Sequence, residues 1–299
     1  MPKSTSALFA LCILIWGTTW FAITAQIEVL APEFGVAIRF GLAAVVLLAW
    51  CRWRGLTPRF APRVHVLVIV HGLTCFYASS VCIYQAERFV ASGVVAVGFA
   101  ASPLFGLVLA RLFLGTRMSG RVALGGLAGV AGVVLIFWHE FTRLEATRQV
   151  LWGAELTMVS VLLSCLSTIA AAGYHRQGVT GWFPLACAMA WGAGASLVHA
   201  LVLGIPWHWS WHVGFLASLA WLALAGSILA FGAFYALVHR VGAAKAGYTG
   251  VLTPVVALTV SSALENFLWT GLTVAGIAVA ILGNVVALWP AASPARAAS

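Results

Sequence analysis

Arg39 is the one Lys or Arg in this 299-residue chain that stands well inside an apolar stretch. A charge at membrane depth is costly and by default functional. Its chemistry is either to bind an anionic group, such as a substrate carboxylate, or to pair with Glu33 or another helix and fix the fold. Glu33 lies nearly two helical turns away at about 3.6 residues per turn, so a direct pair is not built in. Lys245, close to Arg240 and His239, is a second candidate for a carboxylate, or a member of a charge cluster at a span end. His71 and His199 are packing residues or proton carriers near physiological pH. The sequence holds no Asp, and Glu155 reads as the only carboxylate more than about one turn inside any apolar stretch. Proton-driven pumps place Asp or Glu inside the bundle. That scarcity points to facilitated movement of a neutral or zwitterionic molecule, with proton coupling through Glu155, His71 or His199 as the alternative.

Aromatic and hydroxyl residues supply the rest of a candidate binding site. Trp16 and Trp20 are one turn apart on one helix face, and Tyr77 and Tyr84 two turns apart on another. With Phe99, Trp191, Tyr235 and Tyr248 they offer flat apolar walls with a few polar tips, suited to an aromatic or aliphatic side chain. Each also reads as a lipid-facing or packing residue. Ser160, Ser164 and Ser167 form one helical stripe, which either lets helices approach closely or lines a wet path. Ser80 and Thr249 add hydroxyls to neighbouring spans. Pro103 and Pro254 each interrupt a span. Paired interruptions at equivalent places mark a transporter's site or hinge, and a static kink is the other reading.

These residues must be carried by membrane helices. The chain is 63% hydrophobic and 8% charged, with a mean hydropathy of +1.04. Long unbroken apolar runs exclude the alternation of a β-barrel. Spans are expected near 7–26, 33–52, 64–84, 91–113, 119–138, 150–172, 182–203, 213–236, 243–264 and 270–289, each about 20 residues long. The first is read as a retained span, not a signal peptide, because it is long and holds Trp16 and Trp20. With the N-terminus inside, Lys3, Arg52, Arg54, Arg59, Arg63, Arg111, Arg117, Arg121, Arg176, Arg240, Lys245 and Arg296 all lie on the inner side. Only Arg88, Arg143 and Arg148 lie outside. This bias predicts cytoplasmic termini.

An internal repeat runs through the chain at an offset of 151. Tyr84 falls on Tyr235, Pro103 on Pro254, Gly125 on Gly276, Gly132 on Gly283 and Trp138 on Trp289. An odd number of spans per copy, five, inverts the second copy in the membrane. Inverted repeats are typical of alternating-access transporters. The expected units are residues 1–148 and 149–290, followed by a short cytoplasmic tail, 291–299. Arg39 falls on Ala190, so its role is asymmetric.

Other classes fare poorly. The net charge of +9 sits in short loops, with no soluble basic face for nucleic acid. Six scattered cysteines make no C-x-x-C pair and read as packing residues. There is no Walker A, HExxH or dinucleotide fingerprint, so no metal or cofactor is expected. An intramembrane enzyme or a channel remains a distant alternative. Gly125 and Gly129, and Gly276, Ala280 and Gly283, are close-approach motifs for intramolecular packing or a weak homodimer; a monomer is the other expectation.

Trp16-Gly17-Thr18-Thr19-Trp20 resembles the first-span motif of EamA-type proteins of the drug/metabolite transporter superfamily. Ala37-Ile38-Arg39-Phe40, the stretch from Ala91-Ser92-Gly93 through Pro103-Leu104-Phe105 to Leu112-Phe113-Leu114-Gly115, and Gly125/Gly129/Gly132 resemble its second, fourth and fifth spans. One departure is Thr116, which stands where the family usually has Glu. The aromatic-rich spans look most like bacterial YddG-type exporters of aromatic and other neutral amino acids. The resemblance implies a bacterial inner-membrane protein with ten helices around a central cavity, the fifth and tenth peripheral, exporting amino acids such as aromatic residues, methionine and threonine.

Overall fold

The computed structural model describes residues 4–115, 120–143, 148–241, 249–265, 267 and 269–288. Among them the regular structure is all helical: α1 (Thr5–Ile27), α2 (Pro32–Trp53), α3 (Pro62–His71), α4 (Ser80–Ala86), α5 (Ser92–Gly98), α6 (Ser102–Leu114), α7 (Gly120–Arg143), α8 (Arg148–His175), α9 (Trp182–Val202), α10 (Val213–Ala220), α11 (Ala230–Val241), α12 (Thr249–Leu264) and α13 (Gly271–Leu288). Two π-helical segments, Gly72–Ser79 and Trp221–Leu229, join α3 to α4 and α10 to α11. A 3-10 turn, Phe99–Ala101, joins α5 to α6.

Local chemistry sets many of these ends. Pro32 and Pro62 occupy first helical turns, where the missing N–H costs nothing. Gly115 closes α6 in the left-handed region at φ 65°. Among the described residues, six helical stretches are long and apolar enough to cross a bilayer: Thr5–Ile27, Pro32–Trp53, Pro62–Ala86, Arg148–His175, Trp182–Val202 and Val213–Phe234. The apolar helices Ser92–Ala101 and Leu104–Phe113 meet at a bend of 46°. Shorter apolar helices cover Ala123–Ile136, Leu252–Leu264 and Gly271–Gly283.

The interior divides into two main apolar clusters. One gathers Val36, Phe40, Val68, Phe76, Tyr84, Tyr174, Met189 and Leu222 from α2, α3, α4, α8, α9 and both π segments. The other gathers Val94, Val97, Ala100, Val133, Ile136 and Leu258 from α5, α7 and α12. The outward faces of α7 and α13 expose Leu124, Leu127, Val134 and Trp138, and Val274, Leu282 and Val286. An apolar exterior of this kind suits lipid.

Helices α7 and α13 approach closely along their glycines. A Cβ on Gly132 would stand 2.4 Å from the Gly276 carbonyl oxygen, and one on Gly283 would stand 2.5 Å from that of Gly125. Only backbone fits there. The two contacts run antiparallel, position 125 meeting 283 and position 132 meeting 276.

Candidate functional site

The π segment Trp221–Leu229 holds a small polar group in the bundle interior. A π turn takes backbone carbonyls out of the regular i→i−4 ladder and needs other donors for them. Ser227 Oγ donates to the Leu222 carbonyl at 2.9 Å, and Trp16 Nε1 donates to the Gly226 carbonyl at 3.3 Å. Arg39 Nε donates to Ser227 Oγ at 3.3 Å. Gly226 makes room for this: a Cβ there would meet Thr19 Cγ2 at 2.7 Å and Arg39 Nη2 at 3.5 Å. The Arg39 guanidinium also lies 4.8 Å from the centre of the Phe40 ring. The Tyr84 hydroxyl is buried beside Arg39 but outside hydrogen-bonding geometry.

An aromatic wall adjoins this group. Trp16 contacts Phe231 and Phe234 with ring centres 5.4 Å apart, Phe231 contacts Phe76 at 5.7 Å, and Phe76 contacts Phe40 at 4.9 Å. A delocalised cation, a hydroxyl and flat apolar faces thus meet in one region. Arg39 and the rings are buried or part-buried and packed against one another.

The other sequence-predicted residues scatter. Trp20 turns to Phe99, 5.2 Å away, and into the α5–α12 cluster, so it does not share the Trp16 environment. Tyr77 meets His199 at 5.7 Å, whereas Tyr84 lies against Gly35 of α2. The π segment between them breaks the seven-residue register assumed from the sequence. Trp191 is exposed, with its ring edge against His65. Ser160 and Ser79 exchange hydroxyl and carbonyl bonds of 2.9–3.0 Å, which clasp α8 to the π segment Gly72–Ser79. Ser164 contributes its carbonyl to Ser167 and Thr168. Ser80 satisfies the Cys75 carbonyl at 2.8 Å. Thr249 is buried, and its carbonyl accepts from Thr253. His71 is buried and shares a 3.0 Å hydrogen bond with Tyr174. Pro103 stands in the first turn of α6, beside the 46° bend, while Pro254 lies inside the continuous α12. Lys245, Tyr248 and the side chain of Tyr235 lie outside the described residues.

The carboxylates differ from expectation. Glu155 is exposed and lines an open groove of about 720 Å³ with Phe89, Arg148, Gln149, Leu151 and Trp152. It is therefore not the deepest carboxylate. Glu33 and Glu87, at span ends, are both buried. Gln85 Nε2, rather than Arg39, donates to Glu33 Oε1 at 3.1 Å, and Ser196 Oγ donates to the Glu33 carbonyl at 2.7 Å. Glu265 accepts Ser92 Oγ at 2.6 Å and the Ser92 amide at 3.4 Å, a carboxylate at the start of α5. Sequence reasoning weighed Glu33, at the start of a span, only as a partner for Arg39, and left Glu87 and Glu265 in loops. Their one visible signal is position, since all three flank spans at the end where α1 finishes.

Long apolar helices, a lipid-suited exterior and a small polar site buried among aromatics define a polytopic membrane transporter. The chain belongs to the EamA-like transporter family, whose model matches residues 4–138. It is 31% identical over 300 residues to the uncharacterized inner membrane transporter YedA of Escherichia coli (strain K12), covering 95% of this chain and 92% of that protein. Protein PagO of Salmonella typhimurium is 36% identical over 116 residues, 38% of each chain. A solved crystal structure superposes with a TM-score of 0.69 at 18% identity, covering 96% of this chain and 98% of the other, a likeness of fold. The relatives and the apolar helices make this a multi-pass inner membrane protein.

Proposed function

We propose that the chain exports small zwitterionic metabolites, amino acids with apolar side chains first among them, by alternating access between two inverted five-helix repeats. The observation that carries this reading is Arg39 held at the π segment of the eighth span, beside the Trp16–Phe231–Phe76 wall. The guanidinium would take the substrate carboxylate, and the aromatic wall its side chain. Both termini would be cytoplasmic.

Two features support the repeat. Gly125 and Gly132 are the repeat mates of Gly276 and Gly283, and the contacts pair 125 with 283 and 132 with 276. Reciprocal contact of this kind is what a two-fold relation produces. The π segments also correspond: shifted by 151, Gly72–Ser79 falls on 223–230, against an observed Trp221–Leu229. Matching interruptions in equivalent spans are where transporters of this design bind and flex.

The direct test is uptake of labelled phenylalanine, methionine and threonine into liposomes carrying the purified protein, with and without a pH gradient. Equilibration independent of the gradient is the expected result for a facilitative uniporter. Uptake only with a proton gradient would support the second reading, a proton-coupled exporter, which the buried Glu87 favours. Failure to move any of the three would remove the amino-acid assignment.

A further inference from the structure

Glu87 has no task in the site around Arg39, yet it is only 8% exposed and neither of its carboxylate oxygens has a hydrogen-bond partner. An ionised carboxylate left this way is far more costly than the neutral acid. The charged and titratable groups that act on it are Glu265 after α12, Arg39 on α2 and Tyr84 on α4, and Glu33 of α2 is held by Gln85, two residues before it. Two of the carboxylates are already engaged. Gln85 holds Glu33, and Ser92 takes both oxygens of Glu265. Burial first, and the Glu265 charge second, hold the Glu87 acid well above the ordinary carboxylate range, while Arg39 offsets part of this.

The seam next to Glu87 is tight. A Cβ on Gly93 of α5 would stand 2.9–3.0 Å from Leu258 and Ser261 of α12, so any push between Glu87 and Glu265 acts on closely fitted backbone. Ser261 Oγ is also buried there without a partner.

We propose that Glu87 is a proton-binding residue that latches this end of the bundle shut. With its proton, Glu87 sits neutral beside the Ser92-bound Glu265, and the α5–α12 seam is closed. Loss of the proton to water leaves two carboxylates facing one another, and the seam loosens. A carboxyl whose acid form is favoured in the closed state lends closure its full support at low pH and withdraws it as pH rises through the raised value. The latch rests on the transporter reading only for its purpose. Its test needs no substrate and no assigned orientation.

The test is hydrogen–deuterium exchange on the full chain in lipid nanodiscs, where both faces meet the same buffer, at about pH 5.5 and about pH 8.5, corrected for the intrinsic pH dependence. Amides over 92–98 and 258–264 are expected to lose roughly tenfold in protection at the higher pH. Glu87→Gln should keep low-pH protection at both values. Glu265→Gln, which removes the opposing charge, should shrink the response. A pH response of native size in Glu87→Gln, or none in the native chain, overturns the latch. Should Glu87→Gln fail to fold, an unchanged response in Glu265→Gln overturns it instead.

Discussion

The α7–α13 pair and the two π-interrupted spans both bury helix surface against helix surface, with opposite materials. At the glycine pair, backbone touches backbone, and a Cβ at Gly132, Gly276 or Gly283 has no room. At the π segments, by contrast, carbonyls have left the regular ladder and are held by Ser227, Ser80 and Trp16. The first contact allows no alternative partner. The second is a set of exchangeable hydrogen bonds of the kind a substrate can replace. The glycine pair is close-packed backbone, whereas the π segments are held by side-chain hydrogen bonds.

Bulk placed into the glycine pair should have the largest effect. Gly132→Leu should abolish recovery of folded protein by size exclusion, a cost of several kcal/mol from overpacking against backbone. Normal recovery would mean the helices can separate there. Next comes Arg39→Met at the other region. It should leave folded protein recoverable while cutting amino-acid uptake by about tenfold or more, the order of a lost charge-assisted bond to substrate. Loss of folded protein without a separable transport defect would make Arg39 a structural residue. Trp16→Ala should follow the same pattern, with transport impaired more than folding. Trp16→Phe keeps the wall and deletes only the bond to the Gly226 carbonyl, a loss of about 0.6–1.5 kcal/mol. Smallest of all, Trp191→Ala and Glu155→Gln should change uptake less than twofold, roughly the ±0.5 kcal/mol of ordinary surface substitutions. A large effect at either residue would move the site out towards the open groove.

Much of the scaffold was legible because lipid imposes simple rules. Apolar run length sets the spans, and proline and glycine punctuate their ends, as at Pro32, Pro62 and Gly115. The glycine repeat along α7 and α13 forecast close approach, which the structure has. Arg39 stood out because a charge in an apolar stretch needs a reason. The remainder of the site was not legible. Face assignments for Tyr77 and Tyr84 assumed 3.6 residues per turn, and a π segment between them voids that count. Trp16 and Trp20 do lie one turn apart, yet one ring bonds the Gly226 carbonyl of the π segment Trp221–Leu229 and the other meets Phe99. Ser160 was half of a clasp whose other half, Ser79, lies on a different span. Glu87 and Glu265 sat in sequence positions that look solvated, and only packing buries one and ties the other to Ser92.

Hydropathy and spacing alone place the chain in a membrane, locate its long apolar helices, match residues such as Tyr84 and Tyr235 at an offset of 151, and single out Arg39. These are one-dimensional properties, set by hydropathy and spacing against a solvent of fixed thickness. Which hydroxyls serve carbonyls, which carboxylates are buried, and where the helices change their winding came from three-dimensional packing alone. Those depend on the partner each group meets across residues far apart in the chain, as Arg39 meets Ser227 and Trp16 meets Gly226, and no local pattern encodes the meeting.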